Sequence, residues 1–207
     1  MRSDVLIPPH DLPGVLYLPP HPVALVIFAH GSGSSRLSPR NIFVAEKLVD
    51  RGLACLLFDL LTADESEDRR NVFDIPLLAE RVCDALRWVP SQEQLVHLPI
   101  GLFGASTGAA AALVAACDAP MKIAAVVSRG GRPDLARDAL RRVKAPSLLI
   151  VGGWDDDVLA LNRDSLAKMQ CEARLEIVPG ATHLFEERGA LEEVVTLAGA
   201  WFLHHAS

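Results

Sequence analysis

Short, unbroken apolar runs recur along this chain, separated by longer amphipathic segments, and that alternation restricts the fold more than any other feature. The runs are VALVIFAH, LACLLFDL, IGLFG, IAAVVSRGG, SLLIVGG and LEIVPG. A sheet with one wet face would place a polar residue at every second position, whereas continuous apolar runs fit parallel strands covered by helices on both faces. The intervening segments supply those helices. SPRNIFVAEKLVDRG opens with a Ser-Pro start signal and stops at Gly52, and IPLLAERVCDALRWVP keeps helical spacing as far as Pro90. Further helices are expected near residues 106–117, 134–142, 157–170 and 189–204. Ahead of the first alternating unit, DVLIPP and GVLYLPP read as two short strands around a Pro-Gly turn. The expected architecture is α/β: a mostly parallel sheet of about eight strands, helices on both faces and an antiparallel lead-in.

The chain has 207 residues, half of them hydrophobic, enough for one substantial core. No interval is long enough for a second domain and none looks like a helical lid, so a single domain over residues 1–207 with an open site is expected. The least regular stretch, LLTADESEDRRNVFD at residues 60–74, reads as a solvated connection, or else as a loop on the rim of a site. A formal net charge of -6 leaves no excess of Lys and Arg to neutralise phosphates, which argues against nucleic acid and anionic membranes as partners. The oligomeric state is not legible. Cys55, Cys83, Cys117 and Cys171 lack any Cys-x-x-Cys spacing and read as reduced, structural thiols. With no apolar stretch of signal-peptide or membrane-spanning character, a cytoplasmic protein is expected.

In an open parallel sheet, ligands gather beyond the carboxyl ends of the strands. The segments after five of the runs read HGSGSSR, GASTG, SRGGR, GGWDDD and PGATHLF. GASTG, Gly104 to Gly108, matches the Gly-x-Ser-x-Gly elbow, in which a strand turns sharply into a helix and presents a serine oxygen. A serine hydroxyl is a weak nucleophile; it needs a histidine base, oriented by a carboxylate. The order this elbow requires is Ser, then acid, then His. Downstream of Ser106, Asp155 follows SLLIVGG and His183 follows LEIVPG; the later His204 and His205 lie at the chain end on an amphipathic helix. Asp155 is favoured over Asp156 and Asp157 as nearest the strand end, with Asp157 a candidate helix N-cap and Asp59 a weaker alternative acid. Backbone amides of Ser32, in HGSG, and Thr107, after the nucleophile, are the expected donors to the oxyanion. His30 reads as structural, orienting that loop.

HGSGSSRLSPRN, GASTG, VSRGGRPDLA, VGGWDD and VPGATHLFEE resemble motifs of the α/β-hydrolase family over residues 23–203, specifically its dienelactone-hydrolase-like branch. That branch includes domains found fused to phosphoribosyltransferases. The resemblance implies a triad of Ser106, Asp155 and His183 and a strand order with an early reversal. In one respect the chain departs from the pattern: dienelactone hydrolases carry cysteine at the elbow, whereas Ser106 stands here, which favours ordinary esters.

Arg129 and Arg36 are candidates for binding a substrate carboxylate, the alternative for Arg129 being to pair with the acidic loop of Asp155 to Asp157 and hold the scaffold. Trp154 either lines the pocket or packs beside Gly153. The expected activity is hydrolysis of small, short-acyl esters through an acyl-enzyme, without metal or cofactor. Thioesterase, amidase and lactonase activities use the same triad and stay open. Two rivals come from other classes. GLFGASTG also resembles a dinucleotide turn, although its glycine spacing is not Gly-x-Gly-x-x-Gly. A silent hydrolase fold acting as a scaffold is the third reading, weakened by the presence of every group the chemistry needs.

Overall fold

The computed structural model describes residues 1–206. Eight strands form one sheet in the order β1-β2-β4-β3-β5-β6-β7-β8. They are β1 (Arg2–Ile7), β2 (Leu12–Tyr17), β3 (Ala24–Ala29), β4 (Leu53–Phe58), β5 (Ile100–Ala105), β6 (Ile123–Arg129), β7 (Ser147–Gly152) and β8 (Ala173–Val178). β2 runs antiparallel to both β1 and β4, and all other pairs are parallel. The lead-in hairpin and the early reversal, with β4 outside β3, are therefore as expected, but the hairpin does not turn at Pro13-Gly14: both lie inside β2, paired with Leu6 and Val5, and the turn falls at residues 8–11.

Two apolar layers explain why the central strands lack alternation. Along β3, Leu25, Ile27 and Ala29 enter one core while Ala24, Val26 and Phe28 enter the other. Helices α1 (Pro39–Val49) and α7 (Ala190–His205) cover the second face; α3 (Ile75–Trp88) and α4 (Thr107–Asp118) cover the first. Each fully buried Leu, Ile or Phe contributes about 1.5–3 kcal/mol relative to exposure, so a polar residue in β3 or β5 has no tolerable side to face. Alanine at positions 109–112 lets α4 lie close against the sheet. At the sheet edge β8 is only half-buried, with Ile177 exposed.

The start signals act as read. The Ser38 hydroxyl accepts the Asn41 amide at 3.4 Å, with Pro39 in the first turn of α1, and Asp74 accepts the Leu77 amide at 3.1 Å to cap α3. Two helical expectations need correction. Residues 134–142 are not one helix but a 3₁₀ turn, Pro133–Ala136, and a single turn α5, Ala139–Arg142. Arg137 separates them at φ +50°, a left-handed conformation that breaks the helical path. α6 spans Asp156–Leu166, stopping short of residue 170. The segment 60–74 is also more ordered than a loop. It holds a short helix α2, Ala63–Glu67, closed by a capping box in which Thr62 and Glu65 exchange hydrogen bonds. Glu65 also ion-pairs with the buried Arg81 of α3, docking α2 on the body. No helix among the described residues is long and apolar enough to cross a membrane.

Candidate active site

Ser106 occupies the junction of β5 and α4 at φ +51°, ψ -122°. Few non-glycine residues adopt that backbone, and three hydrogen bonds hold it there. Its N–H donates to the Arg129 carbonyl at 3.3 Å, and its own carbonyl accepts from Ala109 at 3.1 Å and Arg132 at 3.0 Å. The flanking glycines are steric necessities. A Cβ at Gly108 would lie 2.1 Å from the Ala29 carbonyl oxygen, and one at Gly104 would lie 2.4 Å from the Ala109 Cα. The elbow is thus pressed between β3 and its own helix, with the Ser106 hydroxyl free of any capping role.

Asp155 and His183 come from the loops after β7 and β8. The His183 Nδ1–H donates to Asp155 Oδ2 at 2.7 Å, which fixes the tautomer and leaves Nε2 available as a base. Two further bonds bind their loops together: the Trp154 amide donates to the Ala181 carbonyl, and the Gly153 amide to that of Val178, both at 2.9 Å. Thr182 is held in turn by Glu187, through both its amide and its hydroxyl. His183 remains partly open, its side chain 39% exposed, whereas the Asp155 carboxylate is largely covered. Asp155, not Asp157, is the N-cap residue of α6, and its side chain serves the imidazole instead of the helix.

Ser106 and His183 line one cleft of about 240 Å³ with Gly31, Ser32, Arg40 and Arg129. Among the described residues no hydrogen bond joins the Ser106 hydroxyl to His183; in unliganded sites such contacts are commonly long and tighten with substrate. A larger cavity of about 350 Å³ lies across the HGSG loop and contains none of Ser106, Asp155 and His183. Gly31, Ser32 and Ser34 line both. A match to the alpha/beta hydrolase domain model extends over residues 22–197, most of the chain and all of these loops. The chain belongs to the α/β-hydrolase family.

Within that family it is dienelactone-hydrolase-like. It is 52% identical to a dienelactone hydrolase from Anabaena variabilis, with a TM-score of 0.95 and coverage of 100% of this chain and 98% of that one. Est1E from Butyrivibrio proteoclasticus shares the fold at a TM-score of 0.81 and 16% identity, covering 99% and 98% of the two chains. A Mycobacterium tuberculosis protein provisionally named a phosphoribosyl transferase is 56% identical over 201 residues, 97% of this chain and 45% of that protein. The chain therefore spans under half the length of the curated relatives it first matches.

The hydrolase loop after β3 is fixed from three sides. His30 accepts the Leu60 amide at Nε2 (3.1 Å) and donates from Nδ1 to the Gly31 carbonyl (3.0 Å). Burial pushes its pKa below the ordinary histidine value, so it sits as a neutral clip between the loop and the end of β4. Asp59 accepts the Arg36 amide at 2.7 Å and ion-pairs with the Arg36 guanidinium. Both residues are thereby engaged with each other: neither lines the cleft of Ser106, and His183 bonds Asp155, not Asp59. The third tie is one that sequence reading missed: the Ser32 amide donates to the Thr107 hydroxyl at 2.9 Å. The Ser32 N–H, expected to be a free oxyanion donor, is thus engaged at rest, and Thr107 takes part through its side chain as the acceptor. Trp154 neither lines the cleft nor packs inward; it is 70% exposed.

Proposed function

We propose that this hydrolase cleaves small, short-acyl esters through an acyl-enzyme on Ser106. The observation that carries the reading is the 2.7 Å bond from His183 to Asp155 at the mouth of the cleft that the strained Ser106 lines. As the hydroxyl attacks the ester carbonyl, its proton passes to His183 Nε2, and the Asp155 carboxylate stabilises the imidazolium. The tetrahedral oxyanion is met by the Thr107 amide at the start of α4, and the Ser32 amide joins it by turning its single N–H away from the Thr107 hydroxyl that accepts it at rest. His183 then gives its proton to the leaving alkoxide. Water, activated by the same imidazole, attacks the acyl-enzyme and regenerates Ser106.

A cleft of about 240 Å³ supports short acyl groups, since it lies below the usual range of about 300–1,000 Å³ for drug-sized ligands. The name of the Anabaena relative supports a lactone, an internal ester, as a substrate within this same chemistry. A fluorophosphonate probe should label the native protein and not Ser106→Ala, and nitrophenyl esters should turn over best at acetyl to butyryl length. Labelling that survives the substitution would give the nucleophile to another residue. A rate climbing steadily to dodecanoyl would remove the short-chain assignment.

A further inference from the structure

The short loop after β6, residues 130–132, reaches both the nucleophile and the base. The Arg132 amide donates to the Ser106 carbonyl at 3.0 Å. Gly130, at φ +51°, donates its amide to the Ile150 carbonyl of β7 at 2.8 Å, and a Cβ there would stand 3.0 Å from the His183 carbonyl oxygen and 3.6 Å from its Nδ1. Gly131 is pressed against α4, where a Cβ would lie 2.6 Å from that of Ala109. The acid is joined to the same loop through a side chain. Asp155 is the N-cap of α6, and Asn162 stands seven residues further on, two turns along and on the same face. Asn162 is fully buried, and its Nδ2 donates to the Gly131 carbonyl at 3.0 Å and to the Val158 carbonyl, one turn back in α6, at 2.8 Å. Both partners are carbonyl oxygens, so the side chain can face them only with its NH2 group. Its Oδ1 is buried without a partner. A residue kept only to fill this space would be leucine, which has the same branched shape and no oxygen to leave unsatisfied.

We propose that Asn162 is a positioning residue: its bond to Gly131 pins the helix that starts at the acid to the loop that supports the nucleophile and the base. This rests on the ester-hydrolase reading of the same site. With the pin in place, the Arg132 amide stays on the Ser106 carbonyl while α6 keeps the Asp155 carboxylate opposite His183 Nδ1. Without it, the loop and the helix shift independently, and a misplacement of about 1 Å between reacting groups costs about 10²-fold in rate. Asn162 does not line the cleft, so the loss falls on kcat and leaves KM in place.

Asn162→Leu removes the donors and keeps the branched shape. Asn162→Ser is the second variant should leucine not fold: its hydroxyl can still bond back to the Val158 carbonyl but falls short of Gly131. Either should lower kcat on nitrophenyl acetate tenfold or more with KM within twofold of native. Val82→Ala, a truncation on the buried face of α3, is the control for lost packing: it should lower Tm and keep kcat within twofold. Amide hydrogen exchange supplies a reading that needs no catalysis, since the Gly130 and Arg132 amides should exchange tenfold or more faster in the Asn162 variants while those of β3 keep their native rates. A kcat no lower than that of Val82→Ala, or native exchange at Arg132, would overturn the pin and leave the esterase standing. Faster exchange at Arg132, in a protein whose native form turns over no ester, would uphold the pin and remove the hydrolase reading.

Discussion

Replacing Ser106 by glycine should make the protein more stable while abolishing its chemistry. Ser106 sits at φ +51°, ψ -122°, held by bonds to Arg129, Ala109 and Arg132 that do not involve its side chain. A non-glycine residue in such a region costs about 1–3 kcal/mol. Glycine adopts it freely but has more unfolded-state entropy to lose, worth about 0.5–1 kcal/mol against alanine. The difference, about 0–2.5 kcal/mol, predicts at its middle that Ser106→Gly exceeds Ser106→Ala in stability by about 1 kcal/mol, a Tm gain of roughly 2–4 °C for a chain of this size. Alanine is the proper reference because both substitutions delete the hydroxyl, leaving only the backbone to account for the gap. Thermal and urea unfolding of the two variants in parallel provide the reading, with hydrolysis assays confirming that both are inactive. If Ser106→Gly unfolds at or below Ser106→Ala, the elbow stores no strain and the argument fails.

Asp155→Asn should leave the fold intact but lower kcat by about 10³–10⁴-fold, because His183 loses the anion that sets its tautomer and stabilises its charged form; a drop under tenfold would assign the acid elsewhere. Gly108→Ala puts a methyl 2.1 Å from the Ala29 carbonyl oxygen, so its urea midpoint should fall by the equivalent of about 3 kcal/mol, the upper end for overpacking; an unchanged midpoint would mean β3 and α4 can part. The His30 pKa is lower folded than unfolded, so the unfolded state binds the extra proton: its stabilisation is complete above the ordinary histidine pKa and is lost as pH falls through the lower, folded value. Tm should therefore drop more steeply on acidification in the native protein than in His30→Gln, whose amide oxygen can still accept the Leu60 N–H but cannot titrate; parallel curves would refute it.

The strands were legible because each central one is buried on both faces, so their apolar runs carry no ambiguity. The elbow was legible because its demands are local: Gly104 and Gly108 are dictated by contacts within a few residues or across one strand pair. Partnerships across the fold were not. Arg36 looked free because Asp59 arrives from another strand, 23 residues away, and α2 looked like loop because its capping box is anchored by Arg81, 16 residues from Glu65. The signal for α2 was nonetheless present as Thr62-x-x-Glu65. Nothing in the letters around Arg137 announces a left-handed residue, and that residue is what divides the segment 134–142. Thr107 was read for its amide alone, since a side-chain acceptor for Ser32, 75 residues distant, is a tertiary fact.

Strain alone does not mark the site. Asp11 and Arg137 have the same positive φ as Ser106, yet neither borders its cleft. What separates the edge at β5, β6 and β8 is the coincidence of several costly arrangements. Ser106 and Phe185 both hold left-handed backbones, a guanidinium is buried without an anion, and glycines sit where no Cβ can stand. Evolution removes isolated costs of this kind cheaply: Arg129→Met or a relaxed turn at Ser106 would each stabilise an inert protein. That they persist together, around a histidine already bonded to its carboxylate, is the physical reason to regard this edge as the working one. The same logic separates the two cavities. The larger is lined by the neutral His30 and the engaged Asp59, groups already satisfied, whereas the smaller contains the unsatisfied ones, and a ligand is drawn to what the fold leaves unpaired.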